Sequence, residues 1–174
     1  MKEKLVIGVL TSRKKKLDRL HKRLEIEFGP IDYRSDPLLF TFSRYYDGEM
    51  GTPISRIFFS FERLFPPDLL AGIKLATNRI EDEYRETGYR KINLDPGFLS
   101  LGRFVLATTK DGAHRIPLHS GIYAELTLVY EKKGFRSLKW TYPDYRSPEY
   151  NAILANIRSL YKAQIQNQGR LRDR

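Results

Sequence analysis

Apolar positions along the chain follow two periods, and the switches between them mark the elements. Residues 5–10, Leu-Val-Ile-Gly-Val-Leu, form a continuous apolar run that fits a strand buried on both faces. Leu17, Leu20, Leu24 and Phe28 then recur at spacings of three and four. That spacing predicts a helix with Ser12 as its N-cap and Gly29-Pro30 as its end. Two strand patterns follow, residues 38–42 and residues 56–62, the second placing Ile57, Phe59 and Phe61 on one face. They suit a long hairpin with Tyr45, Tyr46, Asp47 and Glu49 at its irregular tip. Pro66-Pro67-Asp68 leads into a second helix with Leu69, Ile73, Ala76, Ile80 and Tyr84 on one stripe. Residues 90–94 read as the next strand, which Asp95-Pro96-Gly97 is expected to end, because Pro removes a donor and Gly permits positive φ.

Residues 100–109 satisfy both periods, and the reading favours a short helix capped by Ser100. Residues 122–130 alternate cleanly, and Lys132-Lys133-Gly134 turns that strand back into residues 135–138. Ser147 as N-cap and Pro148 at the first position open a last helix with Ile153, Leu154, Ile157, Leu160 and Tyr161 on one face. The element order predicts one α+β domain over residues 1–165. It has a mainly antiparallel sheet in a ferredoxin-like β-α-β-β-α-β order, with a C-terminal β-hairpin and helix. Residues 166–174 read as a polar, frayed tail.

Composition narrows the functional classes. At 174 residues and 41% hydrophobic, the chain can bury one core and lies outside the disordered class. Without cysteine it has no disulfide, no thiolate nucleophile and no Cys-based zinc or iron–sulfur site. The six-residue apolar run near the N-terminus is too short for a signal peptide, and no stretch is long enough to span a membrane. A soluble protein of a bacterial-type cytosol is expected. The net charge of +10 suggests nucleic acid until it is located. Residues 1–31 carry nine Lys and Arg against four acids, residues 158–174 five against one, and the 126 between them 17 against 16. The positive charge therefore belongs to the two ends, where it would attract polyanions.

Candidate chemistry concentrates in residues 91–146, where polar groups interrupt or end apolar runs. Asp95, Glu125 and Asp144 with His114 would make an oxygen-rich Mg²⁺ or Mn²⁺ site if the fold gathers them. Lys110, Arg115 and Arg146 would then hold a phosphate, beside Tyr145. His114 suits proton transfer near neutral pH. Asp95, His114 and Glu125 are thus the catalytic candidates, and Lys110, Arg115, Asp144, Tyr145 and Arg146 the ligand-binding ones. Structural roles stand beside these: Asp95 in a turn, Glu125 paired with Arg115 across strands, and Asp144-Tyr145-Arg146 organising the approach to the last helix.

The segments Ile92-Asn93-Leu94-Asp95-Pro96-Gly97, His114-Arg115-Ile116, Gly121-Ile122-Tyr123-Ala124-Glu125 and Trp140-Thr141-Tyr142-Pro143-Asp144-Tyr145-Arg146 resemble an uncharacterised prokaryotic family. That family is known as a domain of unknown function, and its members are sometimes labelled GTP-binding proteins. The resemblance covers nearly the whole chain and implies no catalytic residues. A G-x-x-x-x-G-K-[ST] phosphate loop is absent, as is the Asn-Lys-x-Asp pattern of P-loop GTPases, so that mechanism is not expected, while nucleotide binding by another route stays open. Three readings remain. One is a protein that binds a small molecule or nucleotide phosphate, with metal-dependent hydrolysis as its catalytic form. Another is a non-catalytic interaction or regulatory module. The last is an RNA- or DNA-associated protein using the basic ends and a sheet-borne stacking platform. The residues leave cofactor, oligomeric state and pathway open.

Overall fold

A computed structural model describes residues 1–172, those from 168 on by backbone alone. The elements are β1 (Glu3–Thr11), α1 (Leu17–Phe28), β2 (Ile31–Arg34), β3 (Leu38–Leu39), α2 (Asp47–Met50), β4 (Ser55–Phe65), α3 (Leu70–Glu83), β5 (Ile92–Leu99), β6 (Arg103–Thr108), β7 (Arg115–Pro117), β8 (Tyr123–Glu131), β9 (Gly134–Ser137) and α4 (Pro148–Arg172). All nine strands join one antiparallel sheet in the order β2-β4-β1-β5-β6-β8-β7, with β3 on β4 and β9 on β8. The molecule is an α+β domain in which the first strands stand as β2-β4-β1-β5 and later strands extend the sheet from β5. Among the described residues no helix is long and apolar enough to cross a membrane.

The sheet is covered on both faces, which is why β1 reads as a continuous apolar run. Leu5, Ile7 and Val9 pack with Ile57, Phe59 and Phe61 of β4 beneath α1 and α3. Val6, Phe58, Leu99, Phe104 and Leu128 pack beneath Leu154, Ile157 and Tyr161 of α4. The large sheet aromatics Phe58, Phe59, Phe61, Phe98 and Phe104 are all buried. The strand tyrosines Tyr33, Tyr123 and Tyr130 are half-buried.

Four local expectations are corrected. Ser12 does not cap α1; a 3-10 turn over Lys14–Lys16 intervenes, and the Ser12 hydroxyl donates to the Met50 carbonyl. Residues 103–108 are strand rather than helix, because pairing with β5 and β8 on either side satisfies a backbone whose side chains fit both periods. The strand at residues 38–42 shrinks to Leu38–Leu39. Asp95-Pro96-Gly97 does not end β5, which pairs with β1 as far as Leu99. Pro96 instead limits the other ladder: β6 pairs with β5 only at residues 97–99. Proline lacks the amide that would extend that ladder, so beyond Gly97 the two strands part. The Lys132-Lys133 turn does form, both residues at positive φ, as a two-residue hairpin loop of this kind requires. The last helix starts behind Ser147, whose hydroxyl accepts from the Tyr150 amide at 3.3 Å. Its backbone stays helical to Arg172, through residues read as a polar tail, and residues 173–174 lie outside the described residues.

Candidate functional site

Where β5 and β6 part, the sheet opens into a cleft of about 530 Å³. Its lining comes from both sides of the sheet: α3 contributes Lys74, Asn78 and Glu81, while Arg56, Asp144 and Tyr145 approach from the α4 side. The loop before α2 supplies an aromatic wall of Phe40, Phe42, Tyr45 and Tyr46. This volume lies in the range of small-molecule sites, roughly 300–1,000 Å³.

Arg56 organises the floor. It is 3% exposed, and its two terminal nitrogens donate to different carboxylates, Nη1 to Asp95 Oδ2 at 2.8 Å and Nη2 to Asp144 Oδ2 at 3.1 Å. Its guanidinium lies 5.8–5.9 Å from the ring centroids of Phe40, Phe58, Tyr145 and Tyr150. To reach Asp95 on β5, Arg56 on β4 must cross β1. The crossing point is Gly8, which stands opposite Asp95; a Cβ there would come within 2.8 Å of Arg56 Nη1. A glycine inside an otherwise apolar strand is thus explained by the close approach of a side chain.

The two carboxyls that share Arg56 are pushed apart in acidity. Burial raises the pKa of Asp95, but the charges of Arg56 and Lys74 and hydrogen bonds from Arg56 and Asn93 outweigh it, leaving the group below the usual aspartate range. At Asp144 burial also raises the pKa; Arg56 offsets only part of this and the Asp95 charge adds to it, so the group sits above that range. One carboxylate with a depressed pKa beside one with a raised pKa is the arrangement that divides base from acid.

A second polar chain extends from Asp95. Asn93 Nδ2 donates to Asp95 Oδ1 at 2.8 Å, and Arg90 Nη1 donates to Asn93 Oδ1 at 3.2 Å. Arg90 forks onto Glu49, with Nε and Nη2 each 2.9 Å from a carboxylate oxygen. Glu81 accepts from the Leu94 amide at 2.7 Å, and burial raises its pKa against the partial opposition of Lys74.

Of the eight residues expected from the sequence, Asp95, Lys110, Glu125, Asp144 and Tyr145 line the cleft, while His114, Arg115 and Arg146 do not. Glu125, 1% exposed, pairs across strands with Arg115: Nε donates at 2.9 Å, and His114 Nε2 lies 3.2 Å away. Arg115 also donates to the Lys110 carbonyl at 2.9 Å and to Tyr142 Oη at 2.7 Å. His114 stacks on Trp140 at 5.3 Å. This group ties β7, the loop before it and the Trp140–Tyr142 segment to β8, the structural role open to Glu125 in the sequence. Arg146 donates to the Thr141 and Lys139 carbonyls and holds the turn before α4. The expected metal set is not assembled: among the described residues no three His, Asp or Glu side chains are gathered as metal ligands.

The residues missed in the sequence are Arg56, Lys74, Glu81 and Arg90. The first three carried a signal. Arg56 sits within the apolar run of β4, and Lys74, Asn78 and Glu81 form a polar line at helical spacing along a helix that otherwise faces the core.

The fold and the cleft define an α+β protein with a charged cavity at a split in its sheet. The chain belongs to the family described as Domain of unknown function (DUF4416), whose profile matches residues 1–161. No curated protein and no solved structure matches it.

Proposed function

We propose that this is a small-molecule-binding protein of the cytosol whose ligand occupies the cleft between β5 and β6. The observation that carries the reading is the concentration of buried charge around one cavity. Arg56, Lys74, Glu81 and Asp144 are each at most 6% exposed, and burying charged groups costs several kcal/mol per ion, roughly, before pairing offsets it. A fold held only by packing gains little from that arrangement, whereas a binding site requires it. The aromatic wall suits a ligand with a planar part, and a nucleotide or a phosphorylated metabolite is the expected kind.

The test is ligand-observed NMR on pools of small polar metabolites, comparing the natural protein with Asn78→Trp, which places an indole in the cleft. Binding that the substitution abolishes, with the thermal midpoint retained, supports the reading; binding that survives it overturns it.

One observation favours the interaction-module reading. Strand β7 forms an edge of the sheet, and Ile116, Leu118 and Trp140 near it are 66%, 40% and 39% exposed. A protein partner adding to that edge would leave the cleft empty.

A further inference from the structure

Resting on the cleft reading, the hydrogen-bond accounting of the floor gives the ligand's charge. The buried floor carboxylates already have donors. Asp95 accepts from Arg56 and Asn93, Asp144 from Arg56, and Glu81 from the Leu94 amide and, at 3.4 Å, from Arg90. Arg56 and Arg90 are in turn paired with carboxylates, although the buried Arg56 Nε has no partner among the described residues. Lys74 differs. Its side chain is 8% exposed and lines the cleft, yet Nζ makes one hydrogen bond among the described residues, to the neutral Leu94 carbonyl at 2.8 Å. The carboxylate of Glu81 lies 3.9 Å away, too far for a hydrogen bond. An ammonium has three donors, so two have no acceptor within hydrogen-bonding distance among the described residues, although the Glu81 carboxylate balances the charge from 3.9 Å.

We propose that Lys74 is the anchor of an anionic subsite, and that the cleft takes a small organic acid, a carboxylate or phosphate monoester, carrying a planar ring. The anion supplies the acceptors that Lys74 lacks. The ring lies toward the wall where Lys110 Nζ stands 4.7 Å from the Tyr45 ring, a pairing across the mouth that a stacked ring extends.

The experiment titrates the protein with benzoate, phenyl phosphate, benzylamine and benzyl alcohol, following the ε-methylene NMR signal of Lys74 and the dissociation constant. The two acids should bind more tightly than the amine and the alcohol and should move the Lys74 signal. Lys74→Gln should weaken them by about tenfold or more, the loss expected of one charged hydrogen-bonding partner, and Lys74→Arg should restore part of the affinity. The better acid separates a carboxylate from a phosphate ligand. Tighter binding of benzylamine, a Lys74 signal unmoved by bound acid, or acid affinity unchanged in Lys74→Gln would overturn the proposal. If Asn78→Trp abolishes binding while Lys74→Gln does not, the cleft stands and the anchor falls. If none of the four probes binds, both fall.

Discussion

Removing Arg56 tests whether charge pairing or packing holds the floor of the cleft. Arg56→Met keeps most of the side chain's length against Phe40, Phe58, Tyr145 and Tyr150 but takes the guanidinium from Asp95 and Asp144, which accept from it at 2.8 and 3.1 Å. Breaking a buried pair by removing one partner costs about 3–5 kcal/mol, because the other charge is left uncompensated. In a protein of this length that lowers the thermal midpoint by about 10 °C. The charge explanation makes a second demand. Once Asp95 and Asp144 become Asn as well, no unpaired charge remains, and the triple variant should recover at least half of the loss. Acid should also narrow the gap: losing Arg56 raises the pKa of both carboxyls relative to the natural protein, so the penalty is present at neutral pH and fades as they take up protons. Urea unfolding followed by circular dichroism at pH 5 and pH 8, with the slope unchanged, measures both effects. A triple variant as unstable as Arg56→Met at both pH values would show that lost packing, not charge, sets the cost.

Asp95→Asn should cost about 1.5–3 kcal/mol near neutral pH, and the cost should vanish as pH falls through the depressed folded pKa, where the natural carboxyl loses the same stabilisation. Asp144→Asn should cost less, since the raised pKa of Asp144 means that its ionisation removes stability as pH rises; a larger loss for Asp144→Asn than for Asp95→Asn in urea at pH 7 would refute the acid–base division. Gly8→Ala drives a methyl to 2.8 Å from Arg56 Nη1, and about 1–3 kcal/mol of stability should be lost by displacing a guanidinium held by two carboxylates. Gly97→Ala should reach the upper end of that range, because its new methyl lies 2.6 Å from the Val105 carbonyl oxygen, a backbone atom that cannot turn aside; equal midpoints for the two variants would contradict this. Glu125→Gln should lower stability by about 1–3 kcal/mol and alter Trp140 emission, since His114 stacks on that indole and Glu125 holds His114 and Arg115.

The elements whose periodicity is enforced by burial were legible in the sequence. The double-faced run of β1, the stripes of α1, α3 and α4, and the hairpin of β8 and β9 each follow from which side chains must leave water. The elements decided by neighbouring backbone were not. Residues 103–108 carry a pattern suited to helix or strand, and only flanking partners settle it. Pro96 reads as a terminator because one chain shows a missing donor but not which of two ladders needed it. The site was half legible for a related reason. Clusters of polar residues drew attention to residues 91–146, and Asp95, Lys110, Asp144 and Tyr145 do line the cleft. His114, Arg115 and Arg146 belong to the same clusters yet hold loops in place. Arg56 and Lys74 escaped notice because each stands among apolar neighbours, where a single charge is easily read as an exception rather than as the floor of a cavity.

Amide chemical-shift mapping with phenyl phosphate tests the central claim most directly. The account predicts the largest changes at Leu94, Asp95, Ala107, Thr108 and Tyr45, around the split between β5 and β6. Changes confined to Ile116, Leu118 and Trp140, or to the basic residues 13–16, would place the ligand elsewhere and contradict it.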